Sequence, residues 1–519
     1  MRRVPIAVLC AMAALLAASG LVPSGAAEEK GSADNSKALG YLPPGGVLLA
    51  QLPTDLHSDE FRTLDARVLR RLAGLRIGPL LEEAAEDLDL VYEKEVRPQL
   101  GNDLAVAARW PALSNGEGGF VAALQVKDGP ALRRVLDGNR FLRVAGDADG
   151  ARLYRAKDDA ESFVALEDDV LVTADDERRL RRALARHDSG TGMNDASFHS
   201  RLGELPGDAL VRAVADVQPL FAQRPLRHLL RIPWVEALRT MSATLSVSGE
   251  EVRGEGTLEA DPSQLSEGDL PIQPGEVPPE LVGSLRQFAG GSVNQSQTTV
   301  FLLRAARAAF PKSRFVRDVR RLERIHKIDF EREVLQQFNG PSATLLAPNG
   351  TFAARSAVSD PPRLARTIRR LAPDLGRVVE DLEALESEGL ALLLLFAPDA
   401  PVSHGVLGRS RIKLERLRGQ RDFYRLRGLR HGPAKVYFGL HRGVFVVGSS
   451  ERRAKAMATA PAQRPAGITG TSVTLADLGA MRMSIRRALG VDLGRLGQMI
   501  GSLSATPARL RGSLSVELR

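Results

Sequence analysis

The sequence predicts an α+β protein of two tandem related lobes, each a mostly antiparallel sheet packed with helices. Three observations lead there. Segments of the first half recur in the second in the same order. Short alternating apolar stretches flank tight polar turns, which is the pattern of antiparallel hairpins. Each hairpin is followed by a stretch with its apolar residues on one helical face. A chain of 519 residues is also too long for a single core. Its 44% hydrophobic and 26% charged residues are ordinary for a folded protein, and 5% aromatics leave the cores to Leu, Val and Ala.

Residues 1–27 read as an export signal. "MRR" is basic, "VPIAVLCAMAALLAASGLV" is apolar, and "PSGAA" offers small residues for cleavage near Ala27. The alternative is an uncleaved N-terminal anchor, because the apolar run approaches the length of a bilayer span. Cys10, the only cysteine, lies in that run. A cleaved chain therefore has no disulfide, thiolate ligand or cysteine nucleophile. The net charge of +8 falls by two when Arg2 and Arg3 leave, and the remaining excess suits an anionic envelope surface or equally a genome that favours Arg codons.

Residues 28–39 read as a polar leader. The first lobe, 40–260, opens with the strand "GGVLLAQL" (Gly45 to Leu52) and continues through amphipathic stretches such as "RTLDARVLRRLAGL" (Arg62 to Leu75). Its hairpin "FVALEDDVLVTA" turns at Glu167, Asp168 and Asp169, and the helix after it sets Leu180, Ala183 and Leu184 on one face. Residues 261–280, rich in Pro, Gly and acids, read as a linker.

The second lobe, 281–519, repeats the first. "FVAALQVKDGPAL" (Phe120 to Leu132) matches "FAARSAVSDPPRL" (Phe352 to Leu364) at a constant offset of 232. The hairpin recurs as "VYFGLHRGVFVVG", turning at His441, Arg442 and Gly443. "LVRAVADVQPL" recurs as "TSVTLADLGAM", and "RGEGTLEAD" as the terminal "RGSLSVELR". "LALLLLFA" (Leu390 to Ala397) is too short to span a membrane and reads as a buried strand.

"YEKEVRPQLG" (Tyr92 to Gly101) and "FEREVLQQFN" (Phe330 to Asn339) look like a repeated acidic site. Tyr92, Val96 and Leu100 recur at helical spacing, as do Phe330, Val334 and Phe338. Glu93 and Glu95 then flank the apolar stripe on opposite sides and form no close carboxylate pair. Gly101 and Asn339 fall where a left-handed residue ends a helix.

The opening "YLPPGGVLLAQL" after an export signal, the helix ending in a Pro-x-Leu-Gly motif, the "VKD" strand end and the "VLVTAD" hairpin together resemble a family of exported bacterial proteins. That family is known only as domain-of-unknown-function family 3352. The second half departs from it, with Gln336-Gln337-Phe338-Asn339 in place of Pro98-Gln99-Leu100-Gly101. The resemblance implies a fold and a location, and carries no catalytic residues.

Motifs for chemistry are sparse. Asp128 and Asp360 each stand where a strand gives way to a helix with Pro just after, so both read as N-caps. Asp175, Asp176 and Ser449, Ser450 read the same way. None of the eight histidines forms a zinc-binding spacing. "GTGMND" (Gly190 to Asp195) lacks the third glycine and the preceding strand of a phosphate loop, and reads as a surface loop. No cofactor or metal site is expected.

"RSRIKLERLRGQRDFYRLRGLR" (Arg409 to Arg430) is the stretch that suggests a function: it holds nine basic residues against Glu415 and Asp422. A strand there sets Arg409, Arg411 and Lys413 on one face, with Arg416, Arg418 and Arg425 completing a candidate anion-binding surface; the alternative is a solvated strand face in an Arg-rich protein. Phe423 and Tyr424 are expected to add aromatic surface. The expected function is an exported, non-catalytic, envelope-associated binding or structural protein. Its partner would be an anionic envelope polymer, an acidic lipid or another envelope protein, and nucleic acid is not expected. The alternatives are a carrier or chaperone for lipid or hydrophobic material in an inter-lobe or intra-lobe cavity, and a hydrolase with a dispersed site in which a group such as Glu93 or His326 converges with a Ser.

Overall fold

Among the described residues the first half forms ten strands. They are β1 (Leu48–Pro53), β2 (Asp103–Ala108), β3 (Phe120–Gln125), β4 (Leu142–Ala148), β5 (Ala151–Ala156), β6 (Phe163–Glu167), β7 (Val170–Ala174), β8 (Val211–Asp216), β9 (Leu238–Ser248) and β10 (Glu251–Ala260). The second half adds β11 (Leu281–Val282), β12 (Phe288–Ser292), β13 (Ser342–Leu346), β14 (Phe352–Ser356), β15 (Lys413–Arg416), β16 (Phe423–Arg427), β17 (Lys435–His441), β18 (Val444–Gly448), β19 (Ala462–Gln463), β20 (Ser472–Asp477), β21 (Leu496–Thr506) and β22 (Arg509–Leu518). The helices used below are α1 (Asp59–Thr63), α2 (Gly129–Gly138), α3 (Glu177–Asp188), α4 (Asp195–Leu202), α5 (Gln295–Ala309), α6 (Arg314–His326), α7 (361–374) and α8 (Glu451–Met457). The computed structural model describes residues 36–518 except 46–47, 56–57, 64–81, 83–90, 101–102, 110–118, 140–141, 149, 157–162, 224–225, 284–287, 375–411, 429–434 and 483–495. Most of "RTLDARVLRRLAGL", the whole of "LALLLLFA", and residues 1–35 with the expected signal lie outside the described residues.

Every pairing is antiparallel, and the class is α+β as expected. The separation into two sheets is not what forms. The strands run β4-β5-β6-β7-β3-β2-β1-β8-β9-β10 and continue, through β10 against β22, as β22-β21-β20-β12-β13-β14-β18-β17-β16-β15. Outward from that junction the two halves have the same strand order. The segments matched in the sequence fall on equivalent strands: β3 with β14, β6 and β7 with β17 and β18, β8 with β20, and β10 with β22. Glu255 faces Ser513 at the junction. Two long strands that would otherwise be open edges satisfy each other's backbone groups, so among the described residues one twenty-stranded sheet forms in place of two ten-stranded ones.

The halves also share their cores. Phe61 of α1 packs with Leu245, Val247 and Val252 of the first half and with Ala476, Leu478, Leu496 and Leu518 of the second. In return, Phe301, Ala305 and Ala309 of α5 pack over Leu48, Ala50, Ala215 and Trp234 of the first half. Each helix that follows an opening strand thus helps cover the other half. The stretch read as a linker is held down. Leu270 is fully buried, Gln297 donates to the Glu267 and Leu270 carbonyls, and the Thr471 hydroxyl donates to the Gln273 carbonyl at 2.6 Å.

The end of the stretch read as a polar leader is core as well. Lys37–Tyr41 is a 3-10 turn whose Ala38, Leu39 and Tyr41 pack with Leu180, Ala183 and Leu184 of α3. Tyr41 stacks on His187 at 4.3 Å. "GTGMND" is part of this packing and not a free surface loop. A Cβ on Gly192 would sit 1.7 Å from the Gly40 carbonyl oxygen, and the Met193 N–H donates to the Leu42 carbonyl.

Four of the six expected caps form, and Asp175 and Ser449 cap no helix. Asp128 accepts from the Ala131 N–H at 2.8 Å, Asp360 from Arg363 at 2.9 Å, Asp176 from Arg179 at 2.9 Å and Ser450 from Arg453 at 3.3 Å. Asp175 pairs with Arg179, and the Ser449 hydroxyl donates to the Phe352 carbonyl. The Tyr92 element is helical but irregular. A π-turn over Tyr92–Val96 gives way to a 3-10 turn over Arg97–Gln99, where Pro98 has no N–H to continue an α-helix. Tyr92, Val96 and Leu100 still pack together. Asn339 has φ −75°, so the expected left-handed stop does not occur there, and Gly101 lies outside the described residues.

Candidate anion-binding surface

Among the described residues β15 and β4 are the two ends of the sheet, each paired on one side only. The basic stretch makes β15, β16 and the turn between them. The register pairs Lys413 with Arg427, Leu414 with Leu426, Glu415 with Arg425 and Arg416 with Tyr424. Side chains alternate along each strand, so Lys413, Glu415, Arg425 and Arg427 share one face. Leu414, Leu426 and Tyr424 turn to the other, where they pack with Leu364 and Ile368 of α7.

Glu415 pairs with Arg425 and, at 3.4 Å, with Arg427. Its carboxyl is held below the usual carboxylate range, chiefly by the Arg425 hydrogen bond, and Arg425 is raised in return. Arg425, expected among the anion-binding cations, is therefore spent on its neighbour. The cations left over lie at the turn. Arg416, Arg418 and Arg421 are exposed and line one open hollow with Leu417, Gly419 and Gln420, and among the described residues no ion pair joins them to a carboxylate. Gly419, at φ 74°, supplies the left-handed residue that the turn needs. The turn is tethered: the Arg416 Nε donates to the Gln420 carbonyl at 3.2 Å, and the Gln420 amide donates to Glu451 on α8. His441, at the end of neighbouring β17, is pushed down by burial and by the positive charge of Lys455 and Arg442.

Of the six expected cations, Arg409 and Arg411 lie outside the described residues. Lys413 is exposed on the face it shares with Glu415. Arg416 and Arg418 meet at the turn, joined by Arg421. Phe423 and Tyr424 are not aromatic surface: they are 2% and 3% exposed.

Tyr424 is the feature the sequence reading missed. Its hydroxyl is buried and has no hydrogen-bond partner among the described residues. Burial raises its pKa, and the charges acting on it are Asp422, Arg369 and Arg416. Arg369 of α7 pairs with Asp422 at 2.8 Å.

Glu93 and His326, the two residues named for a dispersed site, each pair with a charged neighbour. Glu93 pairs with Arg97 beside a second hollow near Asp55 and Lys127, while His326 Nε2 lies 3.0 Å from Asp374. Among the described residues no group of three His, Cys, Asp or Glu side chains could hold a metal ion. No described helix is long and apolar enough to cross a membrane.

No family model matches this chain, and no curated protein does. Among solved structures, crystal form III of TP0453 is similar at TM-score 0.27 and 11% identity, covering 44% of this chain and 81% of that one. Crystal form IV of the same protein gives TM-score 0.27 and 12% identity over 43% and 80%. Likenesses this slight carry no argument about fold or function.

Proposed function

We propose that the chain is an exported, non-catalytic binding protein of the cell envelope, with two related lobes, that engages an anionic partner at the β15–β16 end of its sheet. The resemblance to the exported bacterial family belongs to the same reading. One observation carries it: three arginines around a single tethered turn, in one hollow, without a carboxylate partner among the described residues. Guanidinium forks suit phosphate and carboxylate oxygens, and clustered exposed cations attract an anionic surface over about a Debye length, roughly 8 Å at physiological salt. The test is sedimentation with phosphatidylglycerol vesicles at low and high salt. The mature protein is expected to bind in a salt-sensitive way, and R416Q/R418Q/R421Q to lose that binding. Retention that survives both salt and the triple substitution would refute the reading.

A further inference from the structure

The duplicated design gives Tyr424 a counterpart. Tyr154 of β5 holds the same place in the first half, and its hydroxyl donates to Asp137 at 2.8 Å. Asp137 stands nine residues after the cap Asp128 of α2, and Arg369 stands nine after the cap Asp360 of α7. Two residues before each tyrosine are Arg152 and Asp422. The helix–strand ion pair survives with its polarity reversed, Arg152 to Asp137 in one half and Asp422 to Arg369 in the other. The residue paired across the strand from the tyrosine also changes, from Val144 to Arg416. The second half has therefore lost the carboxylate that accepts from the tyrosine, and the residue across the strand from the tyrosine has become a guanidinium.

A buried hydroxyl without a partner is costly, and among the described residues Tyr424 has none, because the Asp422 carboxylate beside it is taken by Arg369. We propose that Tyr424, Arg369 and Arg416 form the seat for a phosphate-ester oxyanion, whose oxygen takes the place that the Asp137 carboxylate holds in the first half. The proposal rests on the anionic partner inferred above and names its chemistry. Asp422 occupies one edge of Arg369, and the planar fork leaves further N–H donors for the ligand. Arg416 lines the hollow at the turn and stands directly across the strands from Tyr424, so in this proposal the turn cations gather the anion and the tyrosine orients it. A phosphate ester of this kind occurs as an acidic lipid headgroup or as a free glycerophosphate.

The test uses calorimetric titration of the mature protein with glycerol phosphate, beside sedimentation with phosphatidylglycerol vesicles. Tyr424→Phe removes only the orphaned hydroxyl, so its melting temperature is expected to stay the same or rise. Its affinity for whichever probe binds is expected to fall about tenfold, the worth of a hydrogen bond to a charged group. A double variant, R369D/D422R, rebuilds the first-half arrangement and is expected to abolish binding by giving Tyr424 an internal acceptor. Binding of the soluble probe supports a free phosphate ester, and binding of vesicles alone supports the headgroup. Wild-type affinity in Y424F would overturn the seat and leave the turn cations as the binding surface. A wild-type protein that binds neither probe would overturn both.

Discussion

The two ends of the sheet share one plan and carry opposite electrostatics. At the β4–β5 end, Tyr154 is satisfied by Asp137, and Asp137 is neutralised by Arg152. At the β15–β16 end the ion pair is reversed, Tyr424 is orphaned, and three arginines crowd the turn. The hairpin turns differ in the same sense, Glu167-Asp168-Asp169 against His441-Arg442-Gly443. The acidic turn is closed off by the chain itself, since Lys37 pairs with Asp169 and Tyr41 packs beside Glu167. The basic turn faces outward. Duplicated scaffolds of this kind can keep packing constant in both copies while charge diverges at one, because ion-pair polarity is invisible to the core.

The largest effects should come from contacts that both ends need. A Cβ on Gly192 would strike the Gly40 carbonyl oxygen, and one on Gly439 would lie 2.2 Å from the Asp422 carbonyl oxygen. Gly192→Ala and Gly439→Ala are each expected to cost about 3 kcal/mol in chemical denaturation, because backbone cannot give way as a side chain can. Equal losses would show that the two ends are equally integral to one cooperative fold.

Next in size is the tyrosine pair. Tyr154→Phe is expected to lose about 1 kcal/mol with its hydrogen bond, whereas Tyr424→Phe is expected to be neutral or stabilising. Equal losses in the two urea midpoints would erase the proposed difference. The reversed ion pair offers a sharper comparison. Arg369→Asp and Asp422→Arg alone should each destabilise by roughly 1 kcal/mol, and the double variant should recover that loss, a coupling read from a double-mutant cycle.

The smallest effect is in pH. Burial raises the Glu167 carboxyl above its ordinary range, so the folded state holds its proton more tightly than the unfolded chain does. Stability at that end should therefore rise as pH falls from neutral through the raised pKa, and Glu167→Gln should flatten that slope. Glu451 at the other end is lowered by Lys455 and Gln420, so its contribution is present at neutral pH and is lost as pH falls through the depressed value. Melting curves of Glu167→Gln and Glu451→Gln from pH 4 to 7, an interval of about three units around the carboxylate range, are expected to depart from wild type in opposite directions.

Much of this architecture was legible because it is local. Alternation places β6 and β7, Asp128 and Asp360 cap their helices, and the recurring segments fall on equivalent strands. The single sheet was not legible, since nothing in "RGEGTLEAD" or "RGSLSVELR" says that these two edges meet each other. Nor was the exchange of α1 and α5, because an apolar face does not name the surface it covers. At the site, the excess of arginine was visible, but its compensation by Glu415 depends on cross-strand register. Tyr424 looked like surface in a run of charges and is buried. A signal was present in the reversed signs of Asp137 and Arg369, and of Arg152 and Asp422, once the halves are aligned.

The most direct test of the β15–β16 end as the contact surface is hydrogen exchange of the protein with and without phosphatidylglycerol vesicles. Protection should appear in peptides covering Lys413 to Arg427 and leave the equivalent β4–β5 peptides, Leu142 to Ala156, unchanged. Protection of both ends alike, or of the β4–β5 end alone, would contradict the account.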